Sequence, residues 1–93
     1  MGVQIKTKFE FDPDKCAANL AKHGLDLRDG LAMNLDEAVI IEDDRVDYRE
    51  TRYRAFGRIE GDGYCLVFTL RGETIRLISF RRAHEKEMAR YGQ

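Results

Sequence analysis

The sequence predicts an α+β domain in which one antiparallel sheet packs against helices. Two observations carry this prediction: a capped amphipathic helix near the start of the chain, and apolar runs separated by short turns over its second half. With 93 residues, the chain can form one such domain around one hydrophobic core. We therefore treat residues 1–93 as a single domain.

The first predicted elements are a short strand and a well-bounded helix. Phe9 and Phe11 alternate with a polar residue, as is typical of a strand. Asp12 can cap the helix that follows, Pro13 suits its first turn, and Gly24 can adopt the left-handed conformation that ends it. The i, i+3, i+4, i+7 spacing predicts one buried stripe on this helix, formed by Ala17, Leu20, Ala21 and Gly24.

The sheet is predicted from the rest of the chain. Asp26 can cap a second, shorter helix, and the β-branched run 38–41 predicts a strand. After an acidic loop, two turns containing glycine separate three further runs and predict a three-stranded meander at residues 53–59, 64–70 and 74–80. The meander and one or two further strands would form the sheet. Residues 83–91 predict a closing helix, with His84, Met88 and Tyr91 on one face.

Composition limits the class of protein. The formal net charge is -1, but residues 36–50 hold seven acidic groups and residues 71–90 hold six basic ones. This basic part of the chain indicates a polyanionic partner, although solvated charges on a small protein are an alternative. The sequence has no secretory segment and no apolar run that could span a membrane, which predicts a cytoplasmic protein with reduced Cys16 and Cys65. Two Cys and two His without paired spacing predict neither a metal site nor a bound cofactor.

One face of a predicted strand is rich in arginine. Alternation over residues 52–59 places four side chains on the same face, namely Arg52, Arg54, Phe56 and Arg58. Arginines beside an aromatic ring can bind phosphates and bases, although an exposed solubilising face is the alternative. Arg81 and Arg82 must point to opposite faces, so one of them lies on the arginine face or packs under the closing helix.

Two further pairs of residues have a structural and a functional interpretation. Lys22 and His23 occupy the last helical turn, where cations offset the helix dipole by roughly 0.3–1 kcal/mol. A functional role would require them to lie beside the arginines. His84 and Tyr91 are explained as one flank of the closing helix. From the residues alone, the prediction is an α+β domain with an anion-binding face.

Three blocks of the chain resemble the BrnT toxins of bacterial toxin–antitoxin systems. Residues 9–15 (FEFDPDK), followed by Asn19 and residues 22–24 (KHG), are similar to the family's F-E-W-D-P-x-K and N-x-x-K-H-G. The later blocks RYRAFG and RLISFRRA, with the trailing Glu87 and Tyr91, resemble R-F-x-A-I-G and R-I-I-S-A-R-x-A. The chain departs from the family at Phe11, where Trp is usual, and at Phe80, where a small residue is usual. Residues 1–8 form a longer N-terminal extension, which we expect to be flexible.

The resemblance implies a fold similar to RelE-type ribonucleases and toxicity through RNA cleavage, which inhibits translation. Because two Cys, two His and scattered carboxylates offer no ligand cluster, we expect cleavage without a metal ion, by 2′-hydroxyl attack on the adjacent phosphate. It also implies neutralisation by a BrnA-like ribbon-helix-helix antitoxin, through which alone the protein would associate with DNA. The candidate catalytic residues carried over from the family are Lys22, Arg52, Arg81 and His23. Arginine suits charge stabilisation, Lys22 suits the same role or that of a base, and His23 suits proton transfer near neutrality.

With the arginine face and the closing helix included, the candidates for RNA binding are Arg54, Arg58, Arg82, His84 and Tyr91. Arg45 follows several carboxylates in the acidic loop, so we expect it to lie outside the site. Two alternatives to the enzyme stay open. One is a module that binds RNA or a partner protein without cleaving it, and the other is a decayed toxin that keeps only antitoxin binding.

Overall fold

The computed structural model describes residues 8–45, 47 and 49–93. The predicted flexible extension therefore lies outside the described residues, except for Lys8, which begins the first strand. The elements in chain order are β1 (Lys8–Phe11), α1 (Pro13–His23), a 3-10 helix (Leu27–Ala32), β2 (Val39–Asp43), β3 (Arg52–Ile59), β4 (Asp62–Arg71), β5 (Thr74–Arg82) and α2 (Glu85–Arg90). The α+β prediction is confirmed.

The five strands form one sheet in the order β1-β5-β4-β3-β2. Strands β3, β4 and β5 form the predicted antiparallel meander, and β2 extends it antiparallel to β3. The sheet differs from the prediction in one respect, because β1 pairs with β5 in parallel and the sheet is therefore mixed. Sequence-local turn signals report hairpins, whereas this parallel pair joins residues more than sixty positions apart.

Strand β5 contains an irregularity near its middle. Val67 of β4 pairs with Ser79, but the next residue, Phe68, pairs with Leu77. Ile78 is therefore the extra residue of a bulge, a feature that redirects side chains and is frequent beside functional sites.

The two faces of the sheet bury separate clusters. On the face covered by α1 and the 3-10 helix, the core includes Ala55, Leu66 and Phe80. On the other face, α2 places Met88 against Phe56, Cys65 and Ala83. The predicted alternation along β3 is confirmed, since Ala55 and Phe56 belong to opposite cores.

Helix α1 has the predicted ends but a different buried face. The Asp12 carboxylate accepts a hydrogen bond from the Asp14 backbone N–H (2.8 Å), and Gly24 ends the helix at φ 69°. The buried residue of the helix is Asn19, whereas Leu20 is 55% exposed and Ala17, Ala21 and Gly24 are also exposed. The predicted stripe is therefore wrong, because the helix meets a polar sheet edge through Asn19 rather than an apolar surface through Leu20.

The second predicted helix is a single six-residue 3-10 segment. Gly30 explains its close approach to the sheet, because a Cβ atom there would lie 2.7 Å from Leu66 Cδ1. Both cysteines are free, with Cys65 buried and Cys16 half-buried. The helices among the described residues are short, and none of them could span a lipid bilayer.

Candidate active site

A cationic cavity of about 230 Å³ opens on the sheet face that carries the arginines of β3. Its floor includes Cys65 and Val67 of β4 with Ser79 of β5. Two groups of side chains border this floor on opposite sides. The group next to the end of α1 is called the helix wall and consists of Lys22, His23 and Arg81. The group next to β2 and β3 is called the strand wall and consists of Asp43, Arg45, Arg52 and Arg54.

The helix wall depends on the attachment of α1 to β5. Strand β1 pairs with β5 only as far as Leu77, so among the described residues the backbone of Phe80 has no strand neighbour on that side. Asn19 takes that place: its Nδ2 donates to the carbonyl of Phe80 (2.9 Å) and its Oδ1 accepts from the N–H of Phe80 (2.9 Å). The last turn of α1, with Lys22 and His23, is thereby held beside Arg81.

Arg81 is held in place by α2. Its Nη1 and Nη2 atoms donate to the two carboxylate oxygens of Glu87 at 2.9 and 3.0 Å, and Nη1 also donates to the Arg82 carbonyl at 3.1 Å. Glu87 in turn accepts a hydrogen bond from the backbone N–H of His84 at the start of α2 (3.2 Å). Bidentate pairing of this kind fixes the plane of a guanidinium group.

The strand wall is built around a buried carboxylate. Only 1% of the Asp43 side chain is exposed, and Arg45 pairs with it through Nε (2.7 Å) and Nη2 (2.9 Å). Arg54 Nε lies 4.0 Å from the same carboxylate. At the adjacent position on the same face of β3, Arg52 Nε donates to Glu50 (3.3 Å).

Burial and the positive charges around His23 favour the neutral form of its imidazole. Partial burial, and then the charges of Lys22 and Arg81, lower the pKa of His23 below its ordinary value of 6.5. The hydrogen bonds from Arg81 lower the pKa of Glu87 to about 2, so this carboxylate stays ionised. Burial raises the pKa of the Cys65 thiol to about 11, which keeps it protonated on the cavity floor. The cavity can thus accept a proton at His23 and bind a phosphate through its arginines.

The structure brings together all four candidate catalytic residues, because Lys22, His23, Arg52 and Arg81 line the same cavity. One of the five candidates for RNA binding, Arg54, lies there as well.

The other four candidates for RNA binding do not line this cavity. Arg58 pairs with Glu85 (2.8 Å), and the ring of Tyr91 stacks on Phe56 at 4.2 Å, so both fasten α2 to the sheet. His84 caps α2. Arg82 lies over the ring of Tyr64 at 5.7 Å, on the opposite face of the sheet from Arg81.

Sequence reasoning missed the roles of four residues that build the site, namely Arg45, Asp43, Glu87 and Asn19. Arg45 was expected outside the site but lines the cavity, because the buried Asp43 carboxylate orients its guanidinium there. Glu87 and Asn19 stand in the family motifs, but the sequence does not show that they hold Arg81 and α1. Among the described residues, no three His, Cys, Asp or Glu side chains are grouped so that they could hold a metal ion.

The fold and the cavity define a small α+β domain with a cationic cleft, a class of site suited to phosphate groups. A family described as the ribonuclease toxin BrnT of type II toxin–antitoxin systems matches residues 11–87, which is most of the chain. The chain therefore belongs to the BrnT family, and the resemblance noted from the sequence is confirmed. Membership implies a ribonuclease toxin that has an antitoxin partner. A comparison with curated protein sequences gives no match.

Proposed function

We propose that this protein cleaves RNA without a metal ion, through attack of a 2′-hydroxyl on the adjacent phosphate, and thereby inhibits translation. The observation that carries the proposal is the helix wall, where Lys22, His23 and Arg81 line one cavity with arginines opposite. These groups supply the two needs of such a reaction, which are proton transfer and stabilisation of charge on phosphorus. The fold that the resemblance implies, that of RelE-type ribonucleases, is compatible with the observed α+β domain.

In the proposed reaction, the 2′ oxygen bonds to phosphorus and the bond from phosphorus to the 5′ oxygen breaks. Neutral His23 accepts the proton of the 2′-hydroxyl, and its lowered pKa keeps it in the form that can do so at neutral pH. Lys22, in the same helical turn, donates a proton to the departing 5′ oxygen. The products are a 2′,3′-cyclic phosphate and a 5′-hydroxyl.

Charge on the pentacoordinate phosphorus is proposed to be stabilised by Arg81 from the helix wall and Arg52 from the strand wall. Guanidinium donors match phosphate oxygens in geometry, and Arg81 is already fixed by Glu87 before substrate binds. Loss of one preorganised donor of this kind costs roughly 3–4 kcal/mol in the barrier. Cationic side chains can thus supply the stabilisation that metal ions supply in other nucleases.

The antitoxin is proposed to be a BrnA-like ribbon-helix-helix protein that covers the cationic cavity in the cytoplasm and alone carries the complex to DNA. Acidic or apolar groups on such a partner would complement Lys22, Arg52 and Arg81. Blocking would then be direct, since RNA and antitoxin would compete for one surface.

The test uses the purified protein with single-stranded RNA in excess EDTA. We expect cleavage that leaves cyclic phosphate and 5′-hydroxyl ends, and that stops when antitoxin is added in equimolar amount. Activity that disappears with EDTA and returns with magnesium would contradict the mechanism. RNA binding without cleavage would instead favour the non-catalytic module, and antitoxin binding without either would favour a decayed toxin.

A further inference from the structure

The strand wall contains more positive charge than its buried carboxylate neutralises. Arg45 occupies both oxygens of Asp43, at 2.7 and 2.9 Å. Arg54 has only the longer 4.0 Å contact with this carboxylate, although merely 15% of its side chain is exposed. A buried cation without a closely paired anion is unfavourable unless another anion approaches it.

Arg54 also has an unused donor. Its Nε is buried and has no hydrogen-bond partner within residues 8–45, 47 and 49–93, and its guanidinium lies 5.7 Å from the centre of the Phe56 ring. Buried polar atoms are nearly always paired, so this unpaired one leaves the positive charge of Arg54 poorly compensated beside the cavity that its side chain lines. The ligand that suits a guanidinium group lining a cavity is an oxyanion such as phosphate.

Arg54 of the strand wall and Arg81 of the helix wall lie on opposite sides of the β4 floor, so an extended RNA backbone can present a different phosphate to each of them. Arg54 pairs across to Val67 and Ser79, whereas Arg81 pairs across to Cys65 and then Phe56. The two arginines are thus two strands and two residues apart, which places their Cα atoms roughly 12 Å from each other. A nucleic-acid backbone that crosses the β4 floor would place successive phosphates along this span.

We propose that Arg45 and Arg54, positioned by Asp43, bind a second phosphate of the RNA backbone that flanks the one cleaved at the helix wall. The inference rests on the proposed function, because it assumes that the ligand of the helix wall is RNA. It adds a substrate requirement: the enzyme recognises an oligonucleotide with a phosphate beside the scissile one, and a dinucleotide with a single phosphate is a poor substrate.

The experiment measures binding of a 2′-O-methyl oligonucleotide, which cannot be cleaved by 2′-hydroxyl attack, over a series of salt concentrations. For a single strand, each phosphate contact contributes about 0.7 to the slope of log Kobs against log salt. Because both arginines contact the same phosphate, we expect Arg54→Gln and Arg45→Gln each to reduce the magnitude of the slope by at most about 0.7. Arg54→Lys keeps the charge and should restore most of the slope. Arg71→Gln is the matched control, since Arg71 is exposed at the end of β4 and does not line the cavity.

A second measurement compares cleavage of a dinucleotide with cleavage of the same dinucleotide bearing one added terminal phosphate, placed at either end in turn. The parent should gain about tenfold in kcat/KM from the phosphate at one end, as expected for one added hydrogen bond between charged groups. Arg54→Gln should lose that gain, whereas Arg71→Gln keeps it. Variants that melt like the parent but keep the parental slope and the gain would overturn the second subsite while leaving the ribonuclease proposal intact. A parent protein that neither binds nor cleaves RNA would overturn both.

Discussion

Replacing Arg81 with alanine tests the site most directly. A guanidinium has five N–H donors, and the hydrogen bonds to Glu87 and to the Arg82 carbonyl engage three of those of Arg81 among the described residues. Two donors are left for a phosphate, on a group that Glu87 has already oriented. Removing a preorganised donor should lower the cleavage rate by a factor of about 10²–10³.

The loss of stability should be much smaller. The side chains of Arg81 and Glu87 are 29% and 24% exposed, so solvent screens their pairing and the ion pair contributes about 1 kcal/mol at most. Glu87 keeps the hydrogen bond from the His84 N–H and a favourable position in the first turn of α2. For a domain of this size, about 1 kcal/mol lowers Tm by roughly 4–8 °C. The protein should remain folded at assay temperature.

The assay combines cleavage kinetics with thermal melting of each purified variant. Arg82→Ala is the matched control, because Arg82 is the next residue, is also an arginine, and lies on the other face of the sheet over Tyr64. We expect it to keep the parental rate. If Arg81→Ala cleaves RNA as fast as the parent, the site assignment fails. If it loses activity only at temperatures where it has melted, Arg81 is a structural anchor for α2 instead.

Two further predictions concern the helix wall. Because the pKa of His23 is lowered, the parental rate should fall as the pH decreases, with a midpoint below 6.5. His23→Gln should remove this acidic limb of the pH–rate profile, and an unchanged profile would place the base elsewhere. Asn19→Ala leaves the buried N–H and carbonyl of Phe80 without partners, so chemical denaturation should show a loss of about 2 kcal/mol or more. Leu20→Ala, at an exposed position of the same helix, should cost less than about 0.5 kcal/mol, and equal losses would refute this account of α1.

Most of the fold could be predicted because its signals are local. The ends of α1 follow from Asp12, Pro13 and Gly24, and the hairpins follow from glycine turns between alternating runs. The parallel pairing of β1 with β5 could not be predicted in this way, since no turn joins them. The buried stripe of α1 was misjudged for a related reason. Apolar periodicity assumes an apolar partner surface, but the partner of Asn19 is a stretch of the β5 backbone that no described strand covers.

The site shows the same division between local and distant information. Strand alternation was enough to place Arg52 and Arg54 on one face. It was not enough for Arg58, which has the same alternation but lies where α2 supplies Glu85 to pair with it. The reverse holds for Arg45, whose acidic surroundings suggested a neutralised surface charge. One of those acids, Asp43, is buried at the end of β2 and orients the arginine it neutralises. A carboxylate beside an arginine in the sequence therefore does not exclude that arginine from an anion site, because burial decides whether the pair is a solvated contact or a support for the site.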